Sequence, residues 1–226
     1  MDDTLPPLDA VEARVLGSLV EKQITTPDNY PLSLNALVNA CNQLTSREPV
    51  MSLDETTTVR ALDRLRDKRL ATLFSGAEAR VAKYKHTLTD RVLLTPAEVA
   101  LLCVLLLRGP QTIGELRTRA ERLFTFDNLP EVEAALNALA ARQPQPLIAK
   151  LPRAPGTKES RYAHLLAGPV DLAAASPEKP VPVEPATAQV RAEDARIAVL
   201  EQQVTDLRRE LTELQQHFAT FRKQFE

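Results

Sequence analysis

The chain repeats itself, and that constrains its fold more than any other feature. Asp9 and Glu12 open the segment LDAVEARVLGSLVEKQ (8–23) as an N-terminal cap and its box partner. Thr95 and Glu98 occupy the same places in LTPAEVALLCVLLLRG (94–109), where Pro96 takes the first helical position and Gly109 follows the last. The second segments also correspond. LSLNALVNACNQ (32–43) starts at Ser33 and carries a Leu34/Leu37/Val38/Cys41 stripe, and QTIGELRTRAERL (111–123) starts with a Thr112/Glu115 box. In the third pair, SLDETTTVRALDRLRDKRL (52–70) opens with Ser52 and Glu55, and its ALDRL aligns with the ALNAL of NLPEVEAALNALAAR (128–142). Two short β-prone runs close each copy, over 70–86 and 146–166, with Gly76 and Gly156 in the turns. Lys83-Tyr84-x-His86 and Arg161-Tyr162-x-His164 take equivalent strand positions.

Three helices and a hairpin, twice over, is the winged-helix pattern. The expected class is mainly α with small β-hairpin wings (α+β), in two tandem winged-helix domains over 8–90 and 91–168. A two-stranded hairpin needs a helix to pack against, so each wing depends on its own helices. Residues 169–188 contain five prolines and no helical stripe, which predicts an extended linker. From there to the end the pattern is a heptad: Ile197, Leu200, Val204, Leu207, Leu211, Leu214, Phe218, Phe221 and Phe225 alternate three and four apart. A coiled coil over 189–226 and a homo-oligomer held by it are expected.

The bulk properties exclude several classes. The formal net charge is −2, and 44% of the residues are hydrophobic and 26% charged, as in a soluble globular protein. The opening MDDTLPPL has no apolar core and does not read as a signal peptide. The longest apolar run, Val99 to Leu107, is half the ~18 residues that span a bilayer, so no membrane association is expected. Cys41 and Cys103 sit in predicted helices and read as free buried thiols of a cytoplasmic protein. No P-loop, nucleophile elbow, dinucleotide fingerprint or C-x-x-C is present, and His86, His164 and His217 belong to no ligand cluster. Neither a cofactor, a metal nor a catalytic activity is expected.

Two surfaces are candidates for binding. The third helix of the first copy presents Arg60 and Arg64, with Arg66, Lys68 and Arg69, and the wing adds Lys83 and Lys85. Acidic residues share that helix, and Arg–Asp pairs three and four apart equally describe an ordinary solvated face. In the second copy Glu131 and Glu133 would repel phosphates. The other candidate is the amide-rich segment NYPLSLNALVNACNQLTSREPVMSL (29–53). Asn35, Asn39 and Asn42 lie opposite the apolar stripe, Gln43 follows, and Arg47 is the cation of a loop running from Gln43 to Met51. Amides read nucleobase edges, and they also cap helices and brace loops.

The run EARVLGSLVEKQITTPDNYPLSLNALVNACNQLTSREPVMSL, with LTPAEVALLCVLLLRGPQTIGELRTRA and KESRYAHLL, resembles the YceH family of bacterial proteins over residues 8–168. The resemblance implies a tandem winged-helix fold and no defined reaction. Two functions follow: a protein-interaction or assembly module with an unknown protein partner, favoured by the near-neutral charge, and a nucleic-acid-binding regulator acting through the first copy.

One helix breaks the rule that a surface helix is apolar along a single stripe. From Val99 to Leu107 the segment is apolar all round, so its surplus face is expected to pack on the first copy. The equivalent helix of the first copy is expected to keep Arg14, Gly17, Ser18 and Glu21 outside.

Overall fold

The computed structural model describes residues 4–74, 81–153 and 159–168, all within one compact unit. The expected linker, the coiled coil with its heptad positions, and both hairpin glycines lie outside the described residues.

Helices make up about half of the described residues, and small antiparallel sheets make the class mixed α+β. Helix α1 (Ala10–Thr25) runs through a 3-10 turn (Pro27–Asn29) and strand β1 (Leu32–Ser33) into α2 (Leu34–Cys41). A long loop leads to α3 (Glu55–Asp67) and the hairpin β2 (Ala71–Phe74) and β3 (Lys83–His86). After the single turn α4 (Leu88–Arg91), the order recurs as α5 (Pro96–Arg108), α6 (Ile113–Ala120), α7 (Leu129–Ala140), β4 (Ile148–Lys150) and β5 (Tyr162–His164). In the first sheet β3 lies between β1 and β2, with Leu32 opposite Tyr84 and Ala71 opposite His86. In the second, Ile148 faces His164 and an isolated bridge joins Gln111 to Tyr162. Gln111 thus holds the place before α6 that β1 holds before α2.

The caps follow from side-chain chemistry. Asp9/Glu12, Thr95/Glu98 and Thr112/Glu115 each close a reciprocal capping box, and Ser33 accepts from the amide of Ala36. The start of α3 differs from the sequence expectation. Its cap is Asp54, whose Oδ1 accepts from the Thr57 amide at 2.6 Å, and not Ser52. Asn42 explains the delay. Its side chain donates to the Leu53 carbonyl at 2.8 Å and accepts from the Leu53 amide at 2.7 Å, which keeps the chain out of the helix until after Leu53.

One hydrophobic core runs through both repeats, with α1 and α5 side by side at its centre. Every residue of α5 from Glu98 to Leu107 is buried. Each fully buried leucine contributes about 2 kcal/mol relative to an exposed one. The surplus face of α5 meets α1, and the expectation for α1 is corrected there: Arg14, Gly17, Ser18 and Glu21 are buried. Side chains one or two turns apart on one helix share a face, and this face turns toward α5 and the loop after α2 rather than toward solvent. Gly17 permits the approach. A Cβ there would lie 2.9 Å from Leu107 Cδ2 and 3.1 Å from Leu106 Cβ. The Cys103 thiol lies 3.5 Å from the Gly17 carbonyl, and burial raises its pKa well above the ordinary range.

Val104→Asp places a charge in this seam, and Gly17→Val forces α1 from α5. Each is expected to lower unfolding free energy by at least about 2 kcal/mol. Hydrogen exchange should accelerate in both repeats, because they share one core. A wild-type melting temperature with unchanged exchange would show that the seam is not needed.

Candidate functional site

The loop over residues 42–54 is held from beneath by a buried polar network. Arg47, expected at a binding surface, points inward, and its side chain is 0% exposed. Its guanidinium donates to Glu21 Oε1 at 3.1 Å and Oε2 at 2.5 Å, to the Ala40 carbonyl at 2.8 and 3.0 Å, and to Gln43 Oε1 at 3.0 Å. This two-pronged pairing suits the planar fork of arginine and not the point charge of lysine. Glu21 also accepts from Arg122, which reaches it from beyond α6. Arg14, buried one helical turn below Ser18, has only carbonyl acceptors among the described residues. It donates to the Cys41 carbonyl at 3.0 Å and the Pro49 carbonyl at 2.6 Å. Burial, and then the charge of Arg47, lower its pKa.

The loop is therefore fixed at several points. Asn42 brackets Leu53, Arg47 ties the loop to α2, Arg14 holds Pro49, and the Glu48 amide donates to the Leu107 carbonyl at 2.9 Å. These contacts leave Leu44 and Val50 outside, 81% and 53% exposed. An apolar side chain displayed on a pinned loop loses little conformational entropy when a partner covers it.

Beside the loop lies a cleft of about 490 Å³ between the end of α1, the 3-10 turn, β1 and α2. Asn39, Gln43 and Lys83 meet on its wall with Lys22, Asp28 and Ser33. Asn35 is exposed on α2 and accepts from Asn39 Nδ2 at 2.8 Å. The other sequence candidates do not join them. Asn42 is a half-buried loop brace and Arg47 is internal. Lys85 is half-buried on β3, opposite Thr72.

On α3, Arg60 is exposed and makes no ion pair among the described residues. Arg64 is tied to Asp9 at 2.7 Å and Glu12 at 2.9 Å, Lys68 to Glu12 at 2.6 Å, and Arg66 to Asp63 at 3.1 Å. Burial by itself would raise the Glu12 pKa. Lys68, the Asp9 amide and Arg64 outweigh it and hold the carboxyl below its usual range.

Two histidines end the inner strands. His86 Nε2 donates to Gln23 Oε1, and its amide donates to the Tyr30 hydroxyl at 2.8 Å. Burial lowers both His86 and His164 to about 4. Around His86, Asp90 acts in the opposite sense and Lys85 in the same one. Among the described residues no group of His, Cys, Asp and Glu could hold a metal, and no helix is long and apolar enough to cross a membrane. Cys41 and Cys103 are free and buried.

Sequence reasoning missed Arg14, Glu21 and Arg122. A signal was present for the first two. They sit seven apart on the one face of α1 that an all-apolar α5 would have to cover, where an unpaired charge could not remain. Nothing local marks Arg122.

Residues 8–157 match the family described as "Protein of unknown function, DUF480". The chain belongs to this family. A UPF0502 protein of Opitutus terrae is 58% identical over 184 residues, covering 81% of this chain and 80% of that protein. One from Geobacter sulfurreducens is 54% identical over 219 residues, covering 97% and 98%. One from Azoarcus is 51% identical over 219 residues, covering 97% and 94%. None of these names states an activity.

Two measurements probe the site. Glu21→Ala leaves Arg47 buried without its carboxylate, and should destabilise the protein by about 3 kcal/mol in chemical denaturation. A loss under about 1 kcal/mol would mean that the loop does not depend on the pair. The second concerns pH. His86 is held neutral in the fold with a pKa of about 4 against 6.5 for the free side chain, so between these values the unfolded chain binds the additional proton. Its stabilisation is complete above about 6.5 and declines as pH falls toward 4, by up to about 3 kcal/mol. His86→Gln should lose less stability than wild type between pH 7 and pH 4.5; equal losses would remove His86 as the cause.

Proposed function

We propose that this protein is a non-enzymatic interaction or assembly module. In this reading the two repeats are tandem winged-helix units like those implied by the YceH resemblance. The tail over 189–226 joins copies through a coiled coil, and the loop over 42–54 receives a protein partner. The observation that carries the reading is a contrast between two surfaces. The loop is clamped by buried Arg14, Arg47 and Asn42, yet displays Leu44 and Val50. Apolar side chains held out on a pinned loop can be covered by a partner at a low cost in ordering. Helix α3, which a DNA-reading winged helix would lay in the major groove, commits Arg64, Arg66 and Lys68 to carboxylates of the chain itself. Cations so paired gain little by meeting phosphates. The counterpart α7 carries Glu131 and Glu133. Arg60 and the cleft lysines Lys22 and Lys83 support the second reading, DNA binding by the first repeat.

The test uses full-length protein with a photo-crosslinker at position 44, and the same label on exposed Thr89 as a control. A discrete adduct formed from position 44 and lost in Val50→Asp is expected. Fluorescence anisotropy with random duplex DNA at two salt concentrations should show no steep salt-dependent binding. DNA binding that weakens steeply with salt and vanishes in Arg60→Glu would overturn the reading in favour of the regulator. Deleting residues 189–226 should reduce the number of subunits per particle in sedimentation.

A further inference from the structure

A second concavity, about 460 Å³, opens where the repeats meet. It is lined by Ser46 of the loop, Arg108 at the end of α5, and Thr118, Arg119, Glu121 and Arg122 of α6 and the residues after it. That volume falls within the range of small-molecule sites, roughly 300 to 1,000 Å³.

Its charge arrangement is uneven. Glu21 is shared by Arg47 and Arg122, and Glu115 by Arg119 and Arg161. Arg108 has no carboxylate within ion-pair distance among the described residues. Four arginines therefore share two carboxylates, and Arg108 pairs with neither. The other acidic groups nearby are Glu121, on the wall, and Glu48, which acts on Arg108 through space. Arg108 is half-buried. Burial is the main cause that lowers its pKa; the charges of Arg119 and Arg122 act in the same sense, and Glu48 opposes them. A cation in the last turn of a helix offsets the helix dipole, and this accounts for Arg108 or Arg119 singly. It does not account for three guanidinium groups around one hollow. Their repulsion is relieved by an anion between them, and guanidinium forks match the oxygens of phosphate in geometry and number. The Thr118 hydroxyl is committed as a donor to the Gly114 carbonyl at 3.2 Å, which leaves its lone pairs away from the ligand's role and the arginines as the donors.

We propose that this concavity binds a phosphate-type oxyanion, either free or as the phosphoryl group of a small molecule. Arg108, Arg119 and Arg122 supply the donors. Because Arg122 also grips Glu21, an occupied site would bear on the network that fixes the loop.

Isothermal titration calorimetry of the full-length protein tests this, with inorganic phosphate, pyrophosphate and a phosphomonoester such as glycerol phosphate, at constant ionic strength set by sodium chloride. Saturable binding of at least one is expected, and the tightest of the three identifies the source. Arg108→Gln and Arg119→Gln should each weaken it by at least about tenfold, while Arg60→Gln leaves it unchanged. If Arg108→Gln does not fold, Arg119→Gln decides alone. Heats equal to those of sodium chloride would overturn the proposal, as would unchanged affinity in both variants. Binding of duplex DNA without binding of any of the three small anions would overturn it too.

Discussion

Everything in this structure depends on α5 having nowhere to hide except against α1. A helix apolar on every side cannot be buried by two short helices and a hairpin, so the second repeat needs the first. Close contact follows from Gly17, where a Cβ would collide with Leu107. Two repeats that could each have been a small domain instead share one core. A single core unfolds as one unit, so damage at the seam is felt in both halves.

That closeness dictates the polar chemistry. Pressing α5 on α1 buries Arg14, Ser18 and Glu21, and buried charge must find partners. Arg47 arrives from the loop to meet Glu21, and Arg122 arrives from the second repeat. An otherwise long, irregular connection between α2 and α3 becomes an ordered surface because its arginine is needed inside. Leu44 and Val50 remain outside as a consequence of which residues were drawn in. The interaction-module reading thus rests on packing: the same arginine that satisfies the interior sets the loop's shape.

Electrostatics separate the two surfaces. Arg64 and Lys68 are neutralised by the start of α1 and Arg66 by Asp63, so most of the charge on and just after α3 is spent on holding the first repeat together. At the mouth between the repeats the imbalance runs the other way, with Arg108 left without a carboxylate in ion-pair distance among the described residues. Counting lysines and arginines along the chain does not distinguish these cases. Their partners lie dozens of residues away, as Glu12 does from Arg64 and Glu21 from Arg122.

Local chemistry was legible in the sequence. Asp9, Ser33, Thr95 and Thr112 cap where their spacing predicts, and the shared Tyr-x-His strands pair as the repeat implies, because caps, stripes and hairpins are settled within a few residues. The all-apolar run of α5 also announced a second contact. What tertiary structure alone decided is which side of α1 met it. Arg14 and Glu21 look like surface residues on a helix already carrying an apolar stripe, and Arg47 looks like a loop cation. Only the approach of a second helix turns that polar face inward and makes the pairing of Glu21 with Arg47 obligatory. The start of α3 moved for a similar reason, since the bracket between Asn42 and Leu53 spans the whole loop and overrides the nearer capping signal at Ser52. Pairing across such distances is a property of the packed chain, because the cost of leaving a charge unpaired arises only once water has been excluded.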